Sequence, residues 1–387
     1  MFSSRSSIRR DPNRLARSLT RRRSAGAPLL DLTLSNPTLA GLEAAPAEVL
    51  RALHDRRALI YEPDPRGLLP ARQAIARDWQ ERGVAVPAER IVLTASTSEA
   101  YSFLFKLLCD PGDAVLVPRP SYPLFEHLAR LDGVELVQYH LAYDGAWALD
   151  LDHLRSIRTP RARALIVVHP NNPTGSFIRR RELESLVELG LPIISDEVFS
   201  DYRFAESADR ATTLLEASSA LVFSLGGLSK SAALPQLKLG WMSLGGPSEP
   251  VASALDRLEL IADSYLSVGT AVQWALPRLL EDKSRAQGAI RRRTAENLAS
   301  LQRLCEGTAV TPLHVEGGWT ATLRLPGILD EEQWVVGLLE RQGVLVHPGW
   351  FYDFLEEPLV VVSLLSEQNQ FDAGVSRLVE HVEKCSR

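Results

Sequence analysis

The feature that most constrains this chain is a series of short apolar runs almost free of polar alternation. They are Ile91 to Thr94, Ala114 to Val117, Val134 to Val137, Ala164 to Val168, Leu191 to Ser195, Leu221 to Ser224 and Gly240 to Leu244. A strand wetted on one face alternates apolar with polar, so these read as strands buried on both faces. Helix-like segments lie between them, for example over 98–108 and 124–131. The predicted class is therefore α/β with a mostly parallel sheet. Past about residue 250 the texture changes. A long helical stretch, expected to break near Pro277, is followed by strands over 319–325, 344–346 and 359–363 and helices over 331–341 and 371–383. These predict a smaller α/β domain.

A chain of 387 residues is long enough for this two-part plan. The net charge of −5 argues against a nucleic-acid or anionic-membrane partner. No apolar run approaches the ~18 residues of a membrane span. Cys109, Cys305 and Cys385 are far apart and odd in number, which argues against a disulfide framework or structural zinc site and for a reducing, cytoplasmic setting. Arg5, Arg9, Arg10, Arg14, Arg17 and Arg21 to Arg23 superficially resemble a targeting segment. No apolar core accompanies them, and 12–19 reads as a short helix.

Only five lysines occur, and two of them, Lys230 and Lys238, sit in the small and apolar segment 224–240. Burial would lower the pKa of Lys230 toward a nucleophilic amine suited to a Schiff base. The segment alone equally fits a loop lysine reaching water. Asp196 closes the run Leu191 to Ser195, where buried parallel strands point at a ligand crevice. A helix N-cap is the plainer alternative. The loop 169–175, His-Pro-Asn-Asn-Pro-Thr-Gly, also follows a buried strand. It is either a tight turn or a way to aim an asparagine amide at a ligand.

Taken in order, His-Pro-Asn-Asn-Pro-Thr-Gly, Ser-Asp-Glu-Val-Phe and Ser-Lys through to Leu-Gly-Trp resemble the class I/II aminotransferases, fold-type-I pyridoxal-5′-phosphate (PLP) enzymes of the aspartate aminotransferase kind. Asn172, Asp196 and Lys230 are spaced by 24 and 34 residues, and the likeness runs from Asp31 to the last helix. It implies a mostly parallel seven-stranded sheet. It also implies a segment 1–40 joining the small domain, a large cofactor-binding domain over 41–265 and a small domain over 266–387, so that both chain ends build the small domain. It assigns Lys230 as Schiff-base lysine and proton shuttle. Asp196 is implied to pair with the pyridinium nitrogen, Asn172 to donate to the ring 3′-oxygen and Tyr122 to stack on the ring. Ser96 and Thr97, with Lys238, are implied to hold the phosphate. Tyr61 is implied to reach the phosphate of a second subunit, which makes the expected assembly a homodimer with shared sites. Ser35 and Asn36 are implied to form one wall of the substrate site.

Four departures qualify this likeness. Lys238 stands where arginine is usual, and Gly227 and Ser96 stand where serine and glycine are usual. Phe199 replaces a tyrosine that normally donates to the ring 3′-oxygen, so the cofactor–lysine linkage is expected to hold its proton to higher pH. Val361 occupies the place of the arginine that clamps the substrate carboxylate. Arg66, Arg324 and His347 are candidate substitutes. The expected activity is transfer of an amino group between an amino acid or related amine and a 2-oxo acid. The alternative is a C–S lyase or decarboxylase on the same cofactor cage.

Overall fold

The computed structural model describes residues 2–7, 11–42, 45–355 and 358–386; Arg9 and Arg10 lie outside them. The large sheet has eight strands among these residues. In chain order they are β1 (Ile91–Thr94), β2 (Ala114–Arg119), β3 (Glu135–Tyr143), β4 (Trp147–Leu149), β5 (Ala162–Val168), β6 (Ile193–Asp196), β7 (Val222–Gly227) and β8 (Gly240–Gly245). Their spatial order is β1-β8-β7-β6-β5-β2-β3-β4. Pairings among β3, β2, β5, β6 and β7 are parallel. β8 runs antiparallel to both its neighbours, and β4 folds back on β3. The expected mostly parallel sheet is present, with one strand beyond the seven. The addition is β4, whose three residues are too short to show a period.

The apolar runs lack alternation because each strand feeds two cores. Leu165 and Val167 of β5 pack into one, and Ala164, Ile166 and Val168 into the other. Fully burying an Ile or Leu contributes about 1.5–3 kcal/mol, so both faces resist a polar substitution.

Both chain ends build a third core. Leu15 and Leu32 join Leu323, Val360, Trp334 and Phe371 there. Leu15 lies on the helix Arg14–Ser24, which Asn13 caps by accepting from the Ala16 amide. Leu30–Asp31 pairs in parallel with Val344–Leu345. The antiparallel strands Thr320–Arg324 and Leu359–Ser363 pair with each other, and His347–Pro348 adds to the second of them.

The expected break at Pro277 is not where the helix stops. Pro277 lies inside the helix Thr270–Glu281, and the breaks fall at 264–269 and at Asp282. Ala275, Leu276, Leu279 and Leu280 are buried with Ala71, Ile75 and Trp79 of the helix Leu69–Glu81. That tertiary packing outweighs the local cost of a proline.

Candidate functional site

The C-terminal ends of β5 and β6 and the turn after β7 open on one cavity of about 310 Å³, closed on its other side by the small domain. Thr97, Tyr122, Asn172, Asp196, Phe199 and Lys230 all line it, together with Ser35. Open α/β sheets present ligands at this end.

Lys230 sits in the short helix Leu228–Ser231, and its carbonyl accepts from the Tyr202 hydroxyl at 2.5 Å. Its Nζ lies 5.1 Å from the Trp319 ring centre and 5.5 Å from that of Phe199. Burial among these rings pushes its pKa down, and the charge of Asp196 opposes the shift. The amine is therefore moved toward its nucleophilic form.

Asp196 ends β6. Burial pushes its carboxyl up, while the Val198 amide, the Tyr101 hydroxyl and Lys230 act against that. Val198 N–H donates to Oδ1 at 3.3 Å and Tyr101 O–H to Oδ2 at 3.1 Å. A carboxylate has about four acceptor positions, so capacity is left for a cationic partner inside the cavity.

The loop after β5 separates two adjacent asparagines. Asn171 is committed to the loop: its Nδ2 donates to the Pro120 carbonyl, and its Oδ1 accepts from the Thr174 hydroxyl at 3.0 Å. Asn172 lines the cavity, and its buried Oδ1 has no protein partner. His169 pins the loop base. Its Nδ1 accepts from the Ile178 amide at 3.0 Å, which leaves Nε2 to donate to the Ala211 carbonyl at 3.1 Å. Gly175 turns the loop at φ +70°, and a Cβ there would lie 2.3 Å from Val315 and 2.4 Å from the Gly317 carbonyl. Only glycine meets both demands.

Ser96 lies next to the cavity but not on its wall. Its Oγ accepts from the Glu99 amide and caps the helix Thr97–Leu108. The glycine at 227 lies in a tight place. Gly227 faces Gly240 in register, and a Cβ on Gly227 would come 3.2 Å from the Gly240 Cα. A Cβ on Gly240 would in turn come 3.1 Å from the Ser96 backbone. A side chain at 227 would therefore be tight against β8.

Three other expected residues stand apart from the cavity. Asn36 turns its Oδ1 back onto the Thr38 amide and hydroxyl. Lys238 is exposed in a left-handed conformation at φ 52°. Tyr61 is exposed and borders a separate hollow with Leu68, Phe103 and Leu266.

Of the substitutes for an arginine at 361, only His347 lines the cavity. Arg66 is paired with Glu259 at 2.7 Å, and Arg324 lies over the Tyr143 ring. Val361 is fully buried and stands directly opposite His347 across the sheet.

The sequence reading missed Tyr101, Trp319, Thr33, Thr320, Phe351 and Tyr352 as wall residues. One signal was available: Thr97 and Tyr101 are four apart on one helix and share a face. The others look like ordinary core aromatics and strand threonines.

Comparison with known proteins places the chain in a family. The chain is 30% identical over 260 residues to the glutamate-pyruvate aminotransferase AlaA of Escherichia coli K12, covering 66% of this chain and 64% of that protein. It thus spans somewhat under two thirds of that relative's length. Bovine tyrosine aminotransferase is 28% identical over 355 residues, covering 87% of this chain and 78% of that one. The crystal structure of an aminotransferase from Escherichia coli superimposes with a TM-score of 0.85 at 25% identity, covering 99% and 98% of the two chains. The family model for aminotransferases of class I and II matches residues 27–369, and the chain belongs to that family.

Proposed function

We propose that the chain moves an amino group between a primary amine and a carbonyl acceptor, with Lys230 as the covalent anchor of the cofactor. Class I and II aminotransferases depend on PLP. The observation that carries the reading is the meeting of Lys230, Asp196 and Asn172 on one cavity wall.

The residues fit that cofactor. Asp196, with open acceptor capacity, would hold the pyridine nitrogen as a cation, and Asn172 would hold the ring oxygen. Tyr122 would cover the ring face. Thr97 and the amides of the helix N-terminus, beside Ser96, would receive the phosphate. Lys238 stands two residues before Gly240, whose added Cβ would come 3.1 Å from the Ser96 backbone, but it is exposed, so its part is a charge at the rim. When bound, PLP supplies an electron sink for the pair left on the substrate carbon. Lys230 Nζ, whose pKa burial lowers, takes and returns the proton at that carbon.

Two further parts of the reading concern assembly and place. The exposure of Tyr61, away from its own chain's cavity, supports a homodimer in which it serves the partner's site. No helix among the described residues is long and apolar enough to cross a membrane. The three free cysteines support a cytoplasmic setting.

A second reading, C–S lyase or decarboxylase, is favoured by one observation: among the described residues no arginine lines the cavity. Single-turnover spectroscopy separates the two. Amine should discharge the cofactor's visible band, and a carbonyl acceptor should restore it. Release of sulfide, pyruvate or carbon dioxide without such restoration would overturn aminotransfer.

A further inference from the structure

The small-domain side of the cavity is walled by Thr33, Ser35, Trp319, Thr320, His347 and Phe351. Three observations say what this wall can receive. The first concerns position 361. Val361 shares a sheet face with His347, its direct cross-strand neighbour, and packs in a core with Leu313, Phe354 and Leu359. The site has apolar packing where a guanidinium would have to stand.

The second concerns the hydroxyls. Thr33 Oγ1 donates to Asp31 Oδ1 at 2.5 Å, and Thr320 Oγ1 donates to the Pro173 carbonyl at 2.9 Å. Both donors are committed within the protein. Ser35 is exposed at the rim.

The third concerns His347. Its ring stacks on Phe351 at 5.0 Å and 10°, and Tyr352 meets it edge-on at 5.7 Å. Burial lowers its pKa against the opposing pull of Asp31 and the Thr33 backbone, so the imidazole is uncharged at neutral pH. A carboxylate brought against this wall gives up its water shell and gains no fixed opposite charge. An aromatic or aliphatic group loses nothing there and gains contact with flat rings.

Building on the aminotransfer reading above, we infer that the substrate carries no carboxylate on its amino-bearing carbon, and that an aryl or other apolar group occupies the wall of Trp319, His347 and Phe351. The same wall serves both halves of the reaction. The acceptor is then an aldehyde or ketone without a neighbouring carboxylate. The donor amine leaves as the carbonyl compound of its own skeleton, and the acceptor leaves as an amine. The exchange balances without an outside oxidant or reductant.

The test uses the PLP-loaded protein and two compounds that differ only in the carboxylate, 2-phenylethylamine and phenylalanine. The amine is expected to discharge the visible band roughly a hundredfold faster. Calorimetry with two unreactive analogues gives a readout independent of turnover: 3-phenylpropanol is expected to bind roughly tenfold more tightly than 3-phenylpropanoate. His347→Arg is expected to invert that preference, with circular dichroism reporting its fold. If that variant does not fold, the wild-type pair decides alone. Equal or faster discharge by phenylalanine, or tighter binding of the carboxylate, overturns this inference and leaves aminotransfer standing. Discharge by the amine without release of phenylacetaldehyde overturns aminotransfer instead. Discharge by neither compound overturns the inference.

Discussion

The Tyr101 hydroxyl donates to Oδ2 of Asp196 across 3.1 Å, so the carboxylate at the end of β6 is held from a neighbouring helix. Burial keeps the Tyr101 phenol far above its ordinary pKa, which makes it a donor at every working pH. A hydrogen bond to a charged group contributes about 1.5–3 kcal/mol. Tyr101→Phe is therefore expected to weaken PLP binding by roughly 10- to 100-fold, read by fluorescence titration of the cofactor-free protein. Unchanged affinity would mean that the Val198 amide alone sets the carboxylate.

His169 gives the fold a defined acid sensitivity. Burial pushes its pKa from 6.5 down to about 4, with the nearby Arg210 charge acting the same way and the hydrogen bond to the Ala211 carbonyl opposing it. Between these values the unfolded chain binds a proton that the folded chain refuses. Stability therefore rises with pH through this window and is lost as pH falls below 6.5. The loss reaches about 2 kcal/mol by pH 5. Denaturant midpoints at pH 7 and pH 5 should show it, and His169→Gln, which keeps an amide donor and acceptor, should at least halve the difference. An equal loss in the variant would assign the acid sensitivity to other groups.

Gly175 and Gly190 offer a matched pair. Both have positive φ, +70° and +67°, but only at Gly175 would a Cβ collide with neighbouring atoms. Gly175→Ala is expected to cost roughly 2–4 kcal/mol and to loosen PLP binding by moving Asn172. Gly190→Ala is expected to cost only about 1 kcal/mol, the backbone term. Thermal melts of both variants check this, and equal shifts would show that the loop relaxes around the added methyl group.

The residues show why parts of this molecule were legible and parts were not. Burial on both faces writes itself as unbroken apolar runs, so β5 and β6 were plain from sequence. Asp196 directly follows such a run, Asn172 lies in the loop after another, and Lys230 lies in the turn after the next. Their positions at the strand ends came with the strands. The rest depends on long-range packing. Pro277 stays helical because Leu276 and Leu279 are buried against a helix some 200 residues earlier in the chain. Trp319 and Phe351 look like core aromatics until the small domain closes over Lys230. Asn36 and Ser96 were read as ligand groups, but their side chains satisfy nearby backbone amides, a local competition that sequence does not decide.

The most direct measurement is mass spectrometry of the PLP-loaded protein after borohydride reduction. The cofactor's mass is expected on the peptide that contains Lys230, with Lys230→Ala losing both that label and the visible band. Label on Lys238 instead, or a band that survives in Lys230→Ala, would contradict the assignment.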